Sequence, residues 1–316
     1  MIIALAGGVG GARLAVGLAA VLPPSRLAIV VNTGDDFDHL GLAISPDLDT
    51  VMYTLAGVNH PVIGWGRADE TWSFMDTLGR LGGETWFRLG DRDLAVHVMR
   101  TAALRAGVPL SEVTRRLAAR FGVRHAIIPM SDSPVRTRVR TGRGELAFQD
   151  YFVRLGCKPH VAGFRFVGSR KAKVPRTLRR IIDEDRVQAV VVCPSNPFLS
   201  IAPILSLPEI RVWLKRREFP VVAVSPIVGG AAIKGPAAKM MRELSREVSA
   251  LGAVRHYGDQ VDGWVIDRKD AALRYAIEGA GKAVLVTDTV MSGRSKSVQL
   301  AQRAVSFARA LASEKH

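Results

Sequence analysis

The sequence predicts an α/β protein built on an open, doubly wound, mostly parallel sheet. Near both ends of the chain, short apolar runs of strand length alternate with segments of helical spacing, and this alternation is typical of doubly wound sheets. The chain has 316 residues, of which 48% are hydrophobic and 23% charged. This length favours one large domain with a sizeable insertion or two intimately joined domains, and the composition excludes a disordered or fibrous protein.

The chain opens with a strand, a glycine-rich turn, a helix and a second strand. Ile2–Ala6 and Leu27–Val31 are predicted strands, and Ala12–Leu22 is a helix that ends at two prolines. Such a βαβ unit is expected to be parallel and right-handed. The same alternation returns later, with strands at Ala189–Cys193, Val221–Ser225 and Ala283–Thr287 and helices at Ala237–Ser249, Arg268–Glu278 and Ser295–Ala312.

The middle of the chain predicts an insertion of helices and a β-hairpin. Helical spacing covers Asp69–Leu81, Asp93–Ala106 and Ser111–Phe121, with Ser111 as a candidate N-cap. Alternating residues then predict a hairpin of Arg136–Thr141 and Glu145–Tyr151. We therefore assign residues 1–48 and 168–316 to a nucleotide-binding core and residues 49–167 to an inserted elaboration.

The charge of the protein is unevenly distributed. The formal net charge is +15, yet the span Leu27–Gly66 contains no Lys or Arg and five aspartates: Asp35, Asp36, Asp38, Asp47 and Asp49. An acidic segment in a basic protein indicates a bound cation that faces an anionic, phosphate-rich ligand. The alternative is a solvated acidic loop.

Four glycine- or proline-rich loops follow predicted strands and could line one crevice. Three of these loops could bind phosphates: the turn with Gly7, Gly8 and Gly10, the loop around Ser195, Asn196 and Pro197, and the loop around Gly229 and Lys234. For each loop taken separately, the alternative is a tight turn that binds no ligand. The loop from Asn32 and Thr33 to Asp36 offers hard oxygens that suit Mg²⁺, and Asp49 adds a carboxylate. For Asp49 the alternative is simple capping of a helix that begins at Thr50.

Several classes of partner and chemistry are not expected. Arg136, Arg138 and Arg140 and seven Lys/Arg in Arg165–Arg180 could form a phosphate track, but the chain is 6% aromatic and lacks nucleic-acid-binding signatures, so no nucleic acid is expected. A basic rim that steers small polyanions is favoured instead. Two cysteines, Cys157 and Cys193, are too few for a disulfide framework or a zinc site. The apolar runs are too short to span a membrane, and we expect no membrane association and a cytoplasmic protein.

The motifs occur together, and in this order, in one family. The chain resembles the 2-phospho-L-lactate transferase (CofD/FbiA) family of coenzyme F420 biosynthesis over roughly Met1 to Leu300. The stretches that carry the resemblance are Gly7–Gly11, Asn32–Asp36, Ser45–Thr50, Leu89–Asp93, Pro129–Asp132, Ser195–Pro197, Ser225–Ile227 and Lys234–Ala237. The resemblance implies a Rossmann-like core, guanine-nucleotide recognition, Mg²⁺ dependence and a homodimer.

The resemblance also implies an activity and a site. The family transfers a phosphorylated three-carbon acid from a GDP-like adduct to the deazaflavin Fo and releases GMP, as a phosphotransferase of class EC 2.7.8.-. Fo contacts carry over to Asp49 and Arg88, and the archaeal form has Lys at the Arg88 position and Ala-Glu in place of Gly34-Asp35, which leaves the role of Asp35 open.

The expected roles can now be assigned. The catalytic and metal-binding residues are Asp36 and Asp49, the substrate-binding residues are Asn32, Thr33, Asp49 and Arg88, and the nucleotide-binding residues are Gly7, Gly8, Gly10, Ser195, Asn196, Pro197, Gly229 and Lys234. The donor acid could be phospholactate, phosphoenolpyruvate or phosphoglycerate. The alternative function is a non-catalytic, nucleotide-sugar-binding regulator of the related gluconeogenesis-factor family.

Overall fold

A seven-stranded sheet with helices on both faces forms the centre of the protein. The computed structural model describes residues 1–184 and 186–314; Asp185 and the last two residues of the predicted core, Lys315 and His316, lie outside the described residues. The strands are β1 Ile2–Ala6, β2 Leu27–Val31, β3 Phe37–His39, β4 Leu42–Ile44, β5 Ala126–Pro129, β6 Arg136–Thr141, β7 Gly144–Ala147, β8 Val161–Val167, β9 Ala189–Val192, β10 Val221–Val224, β11 Ile227–Val228, β12 Ala231–Ala232, β13 Gly263–Asp267 and β14 Ala283–Thr287.

The helices lie between these strands. They are α1 Gly8–Val21, α2 Pro46–Ala56, α3 Ser73–Arg80, α4 Asp91–Arg105, α5 Leu110–Arg120, α6 Arg176–Asp183, α7 Ala202–Leu205, α8 Pro208–Lys215, α9 Ala237–Glu243, α10 Ala250–Tyr257, α11 Arg274–Glu278 and α12 Arg294–Glu314.

The order of the strands in the main sheet is β14-β13-β10-β9-β1-β2-β5, and every neighbouring pair is parallel. The predicted doubly wound α/β class is confirmed. The central strand β1 pairs with β2 on one side and with β9 on the other, so the order of the chain reverses here. The carboxyl end of β1 is therefore the topological switch point, where ligands bind in open α/β sheets.

Apolar helix faces cover both sides of the sheet. One core packs α1, α2, α5 and α12 on the strands, and the other packs α6, α8 and α10 on the opposite face. A Cβ atom on Gly17 of α1 would lie 2.1 Å from the carbonyl oxygen of Ser297, so glycine lets α1 approach α12 closely. The sheet and its flanking helices thus hold the carboxyl end of β1 in a fixed place.

Two strands of the main sheet are missing from the sequence prediction. β5 has four residues and lies at one edge of the sheet, and β13 contains the fully buried Trp264 between glycine and valine. Such short runs carry little periodicity. The range 49–167 therefore contributes β5 to the main sheet, and α2 within it packs on α1.

The predicted hairpin is part of a three-stranded antiparallel sheet, because β8 pairs with the free side of β6. The predicted strand Glu145–Tyr151 ends at Ala147 and continues as a π-helical turn. The predicted helix Ala237–Ser249 ends early, because Ser245 has a positive φ of 55°, and Ser249 instead caps α10.

The predicted Ser111 cap is wrong, and so is the alternative that Asp49 caps a helix at Thr50. The helix α2 begins at Pro46, so Asp49 lies inside its first turn and does not cap a helix at Thr50. The helix α5 begins at Leu110, and the Ser111 amide and hydroxyl donate to Asp132 at 2.7 and 3.0 Å. In both places a proline sets the start of the helix one or more residues earlier.

Among the described residues, no single helix has both the length and the apolar character needed to cross a membrane. The bent pair Pro197–Leu205 and Pro208–Lys215 meets the criteria only when both helices are counted together, across an angle of 83°.

Candidate active site

The glycine-rich turn and the Ser195 loop meet at the carboxyl end of β1. The Gly7 amide donates to Ser195 Oγ at 3.2 Å, and the Ser195 hydroxyl donates to the Gly7 carbonyl at 2.8 Å. The amide of Gly8, the first residue of α1, donates to Asp47 Oδ1 at 2.7 Å. Two loops that are far apart in the sequence thus lie together beside the first turn of α2.

The glycines of this turn have different structural reasons. A Cβ on Gly7 would lie 2.4 Å from Asp47 Oδ2, and a Cβ on Gly10 would lie 2.2 Å from the carbonyl oxygen of Pro194. Close packing within the protein therefore requires glycine at both positions. Gly8 has a φ of +60° and its nearest neighbour is 3.8 Å from the added atom, so there the backbone conformation favours glycine and one side of the turn stays open.

The carboxylate of Asp47, a residue of α2, lies at the N-terminal end of α1. Besides the Gly8 amide, its carboxylate accepts the Asn32 side-chain amide at 2.9 Å. Asn32 also accepts the Gly34 amide at 2.8 Å and donates to the Leu199 carbonyl at 3.2 Å. Burial raises the pKa of Asp47 to about 6. Asn32 and Asp47 therefore tie the loop after β2 to the turn after β1.

Asp35 and Asp36 are buried at the end of β2 with unsatisfied oxygens. Asp36 Oδ2 accepts the Ser45 hydroxyl at 2.8 Å, whereas Oδ1 of Asp35 and Oδ1 of Asp36 have no hydrogen-bond partner among the described residues. Burial raises the pKa of Asp36 to about 8, and the nearby Arg136 opposes this shift. Burial also raises the pKa of Asp35 well above its usual value.

These carboxyls fit a divalent cation. Burying several ionised carboxylates is costly unless a counter-charge satisfies them. Unpartnered carboxylate oxygens are the ligands that Mg²⁺ prefers, and the Thr33 hydroxyl is a further buried oxygen without a partner among the described residues.

Asp49 lies in the same first turn of α2 as Asp47, in a cluster with residues of α4. Arg100 makes a buried ion pair and hydrogen bond with Asp49 Oδ1. His97 Nδ1 lies 3.8 Å from Asp49 Oδ2, and His97 Nε2 lies 3.5 Å from Asp93 Oδ1. Asp93 in turn accepts the Tyr53 hydroxyl at 2.5 Å. Asp49, Asp93 and His97 offer ligand atoms within 4.8 Å of one another, but the adjacent guanidinium already balances the charge there.

The other predicted site residues lie around this centre. Asn196 Oδ1 accepts the amides of Phe198 and Leu199 at 2.9 and 3.2 Å, and Pro197 begins the helical turn that follows. The Gly229 amide donates to Asp270 at 3.0 Å. These contacts are structural, and the predicted nucleotide-binding roles stay predictions.

Lys234 and Arg88 contact segments of the insertion. Lys234 Nζ donates to the carbonyls of Val62 and Ile63 at 3.2 and 3.0 Å. In the same segment, a Cβ on Gly64 would lie 2.6 Å from the side chain of Val9, so this segment packs directly on the glycine-rich turn. The exposed Arg88 stacks its guanidinium over the Trp72 ring at 4.0 Å.

No role at the site was predicted for Arg100 or His97. Arg136 was considered only as part of a phosphate track, and Asp47 only as one aspartate of the acidic segment. The spacing of Asp93 and His97, four residues apart on a helix, was a usable signal. Nothing local marks Arg100, whose partner is 51 residues away. A groove of about 530 Å³ lies at the far ends of α1 and α2, beside Arg124 and His125, and none of the predicted site residues line it.

Comparison with known proteins identifies the family. Residues 2–304 match the family model described as 2-phospho-L-lactate transferase CofD. The chain is 42% identical over 315 residues to the phosphoenolpyruvate transferase of Kitasatospora aureofaciens, covering 97% of each chain. It is 40% identical over 300 residues to the 2-phospho-L-lactate transferase of Methanosarcina acetivorans, covering 95% of this chain and 96% of the other.

A solved structure has the same fold. A UPF0052-family protein from Bacillus halodurans superposes with a TM-score of 0.65 over 96% of this chain and 98% of its own, at 12% sequence identity. At that identity the likeness concerns the fold alone. The family match and the full-length relatives together show that the chain belongs to the 2-phospho-L-lactate transferase (CofD) family, as its motifs predicted.

Proposed function

We propose that this protein transfers a phosphorylated three-carbon acid from its guanosine-diphosphate adduct to the deazaflavin Fo and releases GMP. The observation that carries the proposal is the group of buried carboxyls with unpartnered oxygens at the switch point of a CofD-family sheet. The two substrates, the GDP-linked donor and Fo, carry phosphate and hydroxyl groups that would be placed beside these oxygens. The non-catalytic regulator is not favoured, because the transferase family model covers residues 2–304.

The reaction is a displacement at phosphorus. The terminal hydroxyl oxygen of Fo bonds to the phosphorus that carries the three-carbon acid, the bond from that phosphorus to the GMP oxygen breaks, and the hydroxyl proton passes to a carboxylate. In phosphoryl transfer most of the catalysis is positioning and neutralisation of charge. Asp49, whose Oδ2 has no partner among the described residues, is the proposed acceptor of the hydroxyl proton.

A divalent cation completes the proposed site. Asp36 would hold Mg²⁺ through its unpartnered Oδ1, and when bound the ion would neutralise charge on the phosphate oxygens. Asp49 was also predicted as a ligand, but Arg100 holds its Oδ1, and its Oδ2 is proposed to accept the hydroxyl proton instead. The open side of the turn at Gly8 and the Lys234 amine are proposed to bind the phosphates of the donor. Arg88, which stacks on Trp72, is proposed to contact Fo.

The donor acid is left open between three closely similar groups. Relatives carry the names phosphoenolpyruvate transferase and 2-phospho-L-lactate transferase, and phosphoglycerate differs from these by a few atoms. Competition between the three GDP-linked donors, with the product identified by mass spectrometry, would decide the question. The homodimer, the cytoplasmic location and the absence of nucleic-acid binding stay predictions.

The test is release of GMP by the purified protein. Wild-type protein with Fo, a GDP-linked donor and Mg²⁺ should yield GMP and the coupled deazaflavin in equal amounts. Omission of Fo or of Mg²⁺ should abolish both products. If none of the three donors yields GMP under these conditions while binding to the protein, the transferase proposal is wrong and a binding function is favoured.

A further inference from the structure

Arg100 contacts three parts of the candidate active site at once. Its side chain is buried, and it extends from α4 to Asp49 in the first turn of α2, the helix that packs on α1. NH2 pairs with Asp49 Oδ1, while NH1 donates to His97 Nδ1 at 3.2 Å and to the Ala43 carbonyl at 3.3 Å. A planar guanidinium holds several acceptors in a fixed geometry, which a single ammonium group cannot do.

The contact with Arg100 occupies Nδ1 of His97. A guanidinium has donors only, so in this contact His97 Nδ1 is the acceptor and NH1 is the donor. On the other side of the ring, Nε2 faces Asp93 Oδ1 at 3.5 Å. With Nδ1 engaged by Arg100, His97 makes no hydrogen bond to Asp49 Oδ2, which lies 3.8 Å from Nδ1.

Asp49 is left with one free oxygen. Its Oδ1 is held by Arg100, and its Oδ2 is buried and has no hydrogen-bond donor among the described residues. A buried carboxylate oxygen without a donor is costly, and a hydroxyl group of a ligand would satisfy it.

We propose that Arg100 is a positioning residue that fixes Asp49 with Oδ2 free to contact the attacking hydroxyl, and that His97 orients Arg100 through the hydrogen bond at Nδ1. This inference rests on the proposed transferase function and adds to it the atom of Asp49 that acts and the two side chains that hold it. The positioning role predicts that geometry, and not charge alone, is required at position 100.

The first test replaces Arg100 by Lys. The ammonium group keeps a positive partner for Asp49 but cannot also bind His97 and the Ala43 carbonyl. We expect kcat for GMP release to fall by about 10²-fold, the scale of a small misplacement of a catalytic group, with the KM for the donor unchanged. Arg105→Lys is the matched control on the same helix, since Arg105 is exposed and donates to the Gly41 carbonyl; its kcat should stay at the wild-type value.

The second test compares His97→Asn with His97→Gln. An Asn side chain can place an acceptor near the position of Nδ1, whereas a Gln side chain places its polar group near the position of Nε2. The proposal predicts that His97→Asn keeps a higher kcat than His97→Gln, because only the first variant offers Arg100 an acceptor. This pair decides the question even where Arg100→Lys folds poorly.

The outcomes separate this inference from the proposed function. Wild-type protein that releases no GMP with Fo and any of the three donors contradicts the proposed function. Wild-type protein that releases GMP, together with an Arg100→Lys variant of wild-type kcat or a His97→Gln variant at least as active as His97→Asn, overturns the positioning role. Loss of kcat in Arg100→Lys with the predicted order of the His97 variants supports it.

Discussion

Replacing Asp36 by Asn should change how the stability of the protein depends on pH. Burial raises the pKa of Asp36 from 3.8 to about 8, and Asn keeps an oxygen that can accept the Ser45 hydrogen bond. Because the pKa of Asp36 is raised in the folded state, the carboxyl does not destabilise the fold at a pH below its pKa in the unfolded chain. As the pH rises from the unfolded-state pKa to the folded-state pKa, the unfolded chain is ionised while the folded protein must keep or lose the proton at a cost. The stability of wild type therefore falls between about pH 4 and pH 8.

The size of the effect follows from the shift. One pKa unit corresponds to about 1.4 kcal/mol, so the complete penalty of ionising Asp36 is on the order of 5 kcal/mol. At pH 5 only about a quarter of this is present, because the pH exceeds the unfolded pKa by about one unit. The free energy of unfolding of Asp36→Asn should therefore exceed that of wild type by about 3–4 kcal/mol more at pH 8 than at pH 5.

Urea unfolding at pH 5, 6, 7 and 8 in the presence of a chelator measures this difference. Mg²⁺ should then stabilise wild type more at pH 8 than at pH 6, since the cation binds the ionised carboxylate, and should have little effect on Asp36→Asn. Asp38→Asn, at an exposed position of β3 two residues further along the chain, is the control and should alter stability by less than about 0.5 kcal/mol. A constant gap between wild type and Asp36→Asn from pH 5 to pH 8 would refute the assignment of a buried, metal-ready carboxyl.

Three further changes test other parts of the site. Asp49→Asn should lower turnover by about 10²–10⁴-fold. It should also lower the free energy of unfolding in urea by about 3–5 kcal/mol, because the buried arginine partner loses its counter-charge. Wild-type turnover in this variant would remove Asp49 from the mechanism. Arg136→Gln should raise the KM for the donor by about 10- to 100-fold, because the Arg136 charge lowers the pKa of Asp36 and the one side-chain hydrogen bond of Arg136 within the described chain is to its neighbour's carbonyl. Arg140→Gln, at an exposed position, should leave the KM unchanged. Equal effects of the two changes would contradict a specific role of Arg136. Gly10→Ala should destabilise the protein by about 1–3 kcal/mol, because its Cβ would lie 2.2 Å from a backbone carbonyl oxygen. A Cβ at Gly142 meets nothing within 4 Å, so Gly142→Ala is the control and should have the melting temperature of wild type. Matching melting temperatures for the two variants would show that the glycine-rich turn adapts to the added atom.

The architecture could be predicted from the sequence where local pattern and burial coincide. β1, β2 and β14 are continuous apolar runs with the predicted bounds, because strands of a parallel sheet are covered on both faces. β5 and β13 were not found, since four or five residues that include Pro129 or Gly263 carry too weak a signal. Short strands are defined by their neighbours in the sheet, which a single sequence does not display.

The site could be predicted only in part, for the same reason. The sequence indicated that Asp36 and Asp49 need a counter-charge, because the span around them has no Lys or Arg. It did not indicate that Arg100 supplies this charge to Asp49, since the pair forms only when α4 packs beside α2. Loss of the Asp49 carboxylate is therefore expected to reduce the stability of the protein as well as its turnover.

The pairing of Asp49 with Arg100 makes the packing of α4 a condition for catalysis. The helix α2, which packs on α1, provides the carboxylate, and α4 provides the cation that orients it. A local opening that detaches α4 would leave the parallel sheet intact, but it would leave the Asp49 carboxylate and the Arg100 guanidinium each without its counter-charge. On heating or in mild denaturant, activity should therefore disappear before the sheet unfolds, and hydrogen exchange in α4 should report the state of the catalytic centre. A chimera that takes α4 alone from a relative would work only if the arginine partner of Asp49 is kept.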